Sequence, residues 1–192
     1  MSDTEFVNLY VDNSNVFHEG QRFANNRGED GGALRIYFRN FIQLAANGRK
    51  LKEVVWGGSI PPEKDDVWQY LKDMGVRPDL IPRSDSGENE TVDHLIQLKM
   101  YRHVHKYKSA PGTVVLATGD GKGYYKEDGF LYDVESFLND GWQIEIMSWE
   151  HSCHRKLKEF AEARGEFICL DDYYDSITFI KNGRVVAPLK SA

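Results

Sequence analysis

Apolar residues fall into two kinds of segment along the chain: short continuous runs rich in Val, Leu and Ile, and longer stretches where they return every three or four positions. Phe6–Val11 is a β-prone run that empties into the polar cluster Asp12-Asn13-Ser14-Asn15, as a buried strand does at a sheet edge. After a polar, Gly-rich stretch from Asn25 to Gly32, the residues Leu34, Tyr37, Phe38, Phe41, Ile42 and Ala45 recur at helical spacing until Asn47-Gly48 supplies a stop. The pattern then repeats. It predicts a strand over Leu51–Trp56, a helix opened by Pro61-Pro62 and closed at Gly75, a strand over Val76–Pro82 and a helix over Thr91–Tyr107. A strand over Thr113–Ala117, a helix near Tyr132–Asn139 closed by Gly141 and a strand over Gln143–Ser148 follow. The tail predicts a helix near Cys153–Ala163, a strand over Glu166–Leu170, and a β-hairpin in which Asn182-Gly183 joins Thr178-Phe179-Ile180 to Val185-Val186-Ala187. No internal repeat is visible. Strands alternating with helices imply an α/β fold with a mainly parallel sheet flanked by helices, plus the small C-terminal hairpin.

Composition narrows the class. With 192 residues, 41% of them hydrophobic, the chain suits one domain with a sizeable core. Its net charge of −6 excludes a generally basic nucleic-acid coat, so any RNA contact must use a local patch. No stretch approaches the ~18 apolar residues of a membrane span, and the acidic start Met1-Ser2-Asp3-Thr4-Glu5 has no apolar signal region. We therefore expect a cytoplasmic protein with no membrane partner, whose cysteines, Cys153 and Cys169, stay reduced.

Ligands of open parallel sheets bind beyond the carboxyl ends of the strands. Two strands end in acid there: the first delivers Asp12 with Asn15 three residues on, and Val114–Ala117 delivers Thr118-Gly119-Asp120-Gly121. A third carboxylate, Asp93, enters the first turn of a helix beside apolar Val92, Leu95 and Ile96. Three carboxylates within ~4 Å of one another repel by a few kcal/mol per pair at an effective dielectric near 20, which a divalent cation offsets best. Oxygen-only ligands favour Mg²⁺ or Mn²⁺ over Zn²⁺, and metal-assisted phosphodiester cleavage follows. Taken singly, each acid is also explained as a turn, a helix cap or a favourable charge at a helix N-terminus.

The segments Val11-Asp12-Asn13-Ser14-Asn15-Val16, Thr91-Val92-Asp93-His94-Leu95 and Ala117-Thr118-Gly119-Asp120-Gly121 resemble, in order and spacing, the three signatures of NYN domains, the PIN-like nuclease group that includes LabA-like proteins. Asp140–Trp149 is similar to the strand that follows in one branch of that family, and the resemblance covers roughly residues 6–170, leaving 171–192 as a hairpin extension of the same domain. It implies a Rossmann-like sheet and Mg²⁺- or Mn²⁺-dependent ribonuclease activity. Asp12, Asp93 and Asp120 would be the catalytic and metal-binding residues, and Asn15 and Thr118 would orient the metal or the scissile phosphate. Two positions depart from the family pattern. Lys122 stands two residues after the third-motif acid, and Lys99 stands in the helix after Asp93, where many relatives carry acids. Glu90, Glu127 or Asp128 could substitute, Lys122 could contact phosphate, or the chain could be an RNA-binding or regulatory NYN module without hydrolysis.

The segment Lys99–Lys108 is basic with interleaved tyrosines, so Lys99 and Arg102 join Lys122 as candidate contacts to single-stranded RNA, although cations at a helix C-terminus also complement its dipole. A homodimer remains open as a further partner. His151, Cys153, His154 and Cys169 match no regular zinc spacing, and Gly121-Lys122-Gly123 lacks the Ser or Thr of a P-loop. A phosphoaspartate phosphatase would need a second Asp where Ser14 stands. Trp56 leads into Gly57-Gly58-Ser59 at the same edge and is itself a core candidate.

Overall fold

Every residue of β1 (Phe6–Asp12) is buried, and a strand covered on both faces belongs in the middle of a sheet. The computed structural model, which describes residues 6–60, 67–82, 90–121 and 128–189, places it there. β1 pairs in parallel with β3 (Lys50–Ser59) on one side and β5 (Thr113–Ala117) on the other. Outside these lie β4 (Asp79–Ile81), β6 (Gln143–Ser148) and β7 (Glu166–Cys169), giving a six-stranded parallel sheet of order β4-β3-β1-β5-β6-β7. The chain works outward from β1 through β3 to β4, then returns to the other side of β1 at β5. The switch of direction therefore opens a crevice between the carboxyl ends of β1 and β5.

Helices cover both faces. On one, α1 (Asn13–Asn26), α2 (Phe38–Ala46), α3 (Val67–Asp73) and, late in the chain, α7 (Tyr174–Ile177) pack on Val7, Leu9, Val11, Trp56 and Val115. On the other, α4 (Glu90–Lys106), α5 (Phe130–Asn139) and α6 (Arg155–Arg164) pack on Tyr10, Val55, Val114, Leu116 and Ile146. Alternation along β1 and β5 puts Asp12 and Thr118 on the α4 side. A separate two-stranded antiparallel sheet pairs β2 (Leu34–Ile36) with β8 (Thr178–Ile180). Among the described residues no helix is long and apolar enough to cross a membrane.

Four expectations change. The helix expected from Leu34 begins at Phe38, because Leu34 and Ile36 are claimed by strand pairing with β8. The C-terminal hairpin is not formed. Asn182 does turn the chain with φ 61°, and Ile180 N–H reaches Arg184 O at 2.9 Å, but Val185–Ala187 is not a strand and the partner of β8 is β2. The strand expected over Val76–Pro82 contracts to Asp79–Ile81, since Pro78 has no N–H to offer the ladder. The polar stretch after Asp12 is a 14-residue helix, α1, that buries only Val16, Gly20 and Ala24, one small or β-branched position per turn. The helix start at Pro61-Pro62 lies outside the described residues.

Candidate active site

Asp12 closes β1 and caps α1: its Oδ1 accepts the Asn15 backbone N–H at 3.2 Å. Two tryptophans hold that helix start in place. Trp56, wedged edge-on against Phe38 and Phe41, donates from Nε1 to Asn13 Oδ1 at 2.9 Å, and Trp149 Nε1 donates to Val16 O at 2.8 Å. Trp56 is thus a core residue that braces the site from below.

Across the crevice, the Thr118 hydroxyl donates to Asp12 Oδ2 at 3.1 Å and accepts the Asp120 backbone N–H at 3.2 Å. Asn15 Oδ1 accepts the Gly119 N–H at 2.7 Å. Asp12 is 6% exposed and Thr118 0%, so the ends of β1 and β5 are joined by a buried side-chain hydrogen bond. Of the expected residues, Asp12, Asn15, Thr118 and Asp120 are therefore brought together by direct hydrogen bonds.

Asp93 approaches from the facing helix. Gly57 is level with Asp12 in the β1–β3 register, and a Cβ there would lie 2.7 Å from Ile96 Cδ1 and 2.9 Å from Val92 Cγ1. The absent side chain lets the first turns of α4, which carry Asp93, rest directly on the sheet end beside Gly57. Among the described residues, no group of three or more His, Cys, Asp or Glu side chains is gathered to hold a metal ion. The tight unit here is the Asp12–Thr118–Asp120 link.

The basic segment has a different setting. Lys99 Nζ is 2.5 Å from Asp79 Oδ2, and Lys106 Nζ is 2.7 Å from Glu53 Oε1, which also accepts the Tyr107 hydroxyl at 2.6 Å. His103 lies between the buried Tyr10 hydroxyl (3.1 Å) and Glu53 (3.7 Å). Burial works to raise the pKa of Glu53, but hydrogen bonds from Lys106 and Tyr107, with the nearby cations, hold it below the usual carboxylate range. These cations tie α4 to β4 through Asp79 and to β3 through Glu53. The 17 residues of α4 also span ~25 Å, so its basic end reaches the amino edge, away from Asp12. Arg102 is exposed on the same helix. Lys122 and Glu127 lie outside the described residues.

One carboxylate escaped the sequence reading. Asp133, buried in the first turn of α5, accepts Gln97 Nε2 at 2.7 Å and the Tyr101 hydroxyl at 3.0 Å, and burial raises its pKa. It ties α5 to α4 one turn below Asp93. Its only sequence signal is an acid between the core positions Leu131 and Val134. The cysteines are free, and burial pushes the Cys153 thiol up to about 11. No protein-family model matches the chain, and no curated protein matches it in sequence.

Proposed function

We propose that the chain is a cytoplasmic, NYN-type ribonuclease that hydrolyses RNA phosphodiester bonds with Mg²⁺ or Mn²⁺ at the carboxyl edge between β1 and β5. The observation that carries this reading is the buried Thr118 hydroxyl, which locks Asp12 to the Asp120 backbone at the topological switch point. Asp12, Asp120, Thr118 and Asn15 offer only oxygen and amide donors, which suits an ion that binds through one or two carboxylates and completes its shell with water and substrate phosphate. A smaller set than three clustered acids is therefore compatible with it. When bound, the ion would lower the pKa of a water and offset charge on the leaving oxygen. The chain's own part is to orient: Thr118 fixes the Asp12 carboxylate, Asn15 fixes the Gly119 backbone, and Asp93 closes the third side from α4.

The test is cleavage of single-stranded RNA with Mn²⁺. Asp12→Asn and Asp120→Asn should each abolish it without unfolding the protein, and undiminished cleavage in both would refute the assignment. A second reading, an RNA-binding module without hydrolysis, is favoured by the absence of a three-acid group among the described residues and by Lys99, paired with Asp79, where an acid is expected. RNA binding without cleavage by the wild-type protein would select it.

A further inference from the structure

The β6–α6 connection closes over the loop that carries Asp120. The His154 backbone N–H donates to Gly119 O at 2.8 Å. A Cβ on Gly121 would lie 2.7 Å from His154 Nδ1 and 2.8 Å from its Cγ, so the imidazole rests directly on the backbone one residue past Asp120. On the other side of Asp120, a Cβ on Gly119 would lie 2.8 Å from Ser152 O. Glycine at both positions brings the two loops into contact, and the histidine is held at the rim of the site by its own main chain.

Ordinary explanations for a histidine here do not apply. His154 occupies the N-cap position of α6, yet its side chain makes no capping hydrogen bond. It is exposed, so it fills no core, and among the described residues its ring has no hydrogen-bond partner. An exposed imidazole packed on the Gly121 backbone, with ring nitrogens that make no hydrogen bond among the described residues, is equipped to meet a ligand beside the Asp120 loop.

We infer that His154 contacts substrate: an imidazole N–H donates to a non-bridging oxygen of the RNA phosphate held at the Asp12–Asp120 edge. The inference rests on the ribonuclease reading and adds a residue from the β6–α6 loop to that site. The step is one of binding; no covalent bond is made or broken at the ring.

Steady-state cleavage of a short, 5′-labelled single-stranded RNA with Mn²⁺ tests it. His154→Ala should raise KM about tenfold while kcat stays within about threefold, and His154→Gln, which keeps an N–H donor, should recover most of the loss. Binding of the same RNA with Ca²⁺ in place of Mn²⁺, read by fluorescence anisotropy, should weaken in parallel. Gly121→Ala, by displacing the ring, should weaken binding in the wild type and add little in the His154→Ala background. An unchanged KM in His154→Ala, with Asp12→Asn inactive, would overturn the contact and leave the ribonuclease reading standing. A wild-type protein that neither binds nor cleaves RNA would overturn both.

Discussion

Replacing Thr118 by valine keeps the shape of the side chain and removes only its hydroxyl. That hydroxyl, itself buried, gives one hydrogen bond to a carboxylate and takes one from the half-buried Asp120 backbone N–H. A bond to a charged group contributes about 1.5–3 kcal/mol net and a neutral one about 1 kcal/mol, so Thr118→Val should cost about 2.5–4 kcal/mol with no cavity term. With a urea slope of ~2–3 kcal/mol per molar, the unfolding midpoint should fall by about 1 M. Trp56, Trp142 and Trp149 are all buried, so their fluorescence reports the transition. Thr118→Ser, which loses only a methyl group, should cost about 1 kcal/mol. Equal midpoints for the wild type and Thr118→Val would mean that the Asp12–Thr118–Asp120 link carries no weight in holding the site.

Two further outcomes are expected. Arg49 grips Glu145 through both guanidinium ends, with Nη2 to Oε2 at 2.7 Å, and both side chains are largely buried. Glu145→Ala should cost about 3–5 kcal/mol and lower the thermal midpoint by ~10 °C, because it removes the countercharge of a largely buried arginine, whereas replacing both residues by apolar ones should cost less; a midpoint unmoved by Glu145→Ala contradicts this. Burial lowers the pKa of His103, with Lys106 and Lys99 adding to it against the pull of Glu53. The unfolded chain therefore takes up this proton first as pH falls. The contribution is complete above the unfolded value of about 6.5 and is lost as pH drops through the folded value. The urea midpoint should consequently fall less between pH 7 and pH 5 in His103→Gln than in the wild type, and parallel slopes would refute this.

The central strands were legible because a doubly covered strand is apolar at most positions. Thr113–Ala117 and Gln143–Ser148 appear in the structure with the bounds their composition predicts. Helix ends were legible where a residue must take a left-handed conformation, as at Asn47 (φ 44°) and Gly141 (φ 90°). What failed was non-local or inverted in pattern. Leu34 read as the start of a helix because the partner strand of Leu34–Ile36 is encoded far away at Thr178–Ile180. Helix α1 was hidden because it meets Trp149 and Leu34 through Gly20 rather than through a broad apolar face. At the site, Asp12 and Asp120 could be placed at strand ends from the sequence alone. Thr118 as the hinge between them, and His154 over Gly121, depend on how two loops meet in space.

The pairing of β2 with β8 also has a meaning in time. During synthesis at ~5–20 residues per second, Leu34–Ile36 leaves the ribosome on the order of ten seconds before Thr178–Ile180 exists. For that interval the β2 edge has no partner, Asn40 lacks the Ser176 carbonyl it later grips at 2.7 Å, and Glu29 lacks Arg184. The six-stranded sheet can assemble from β1 to β7 in the meantime, so the later pairing of β8 works as a clasp. A nascent chain halted before residue 178 would hold the crevice and its aspartates while leaving a hydrophobic strand edge open to neighbours.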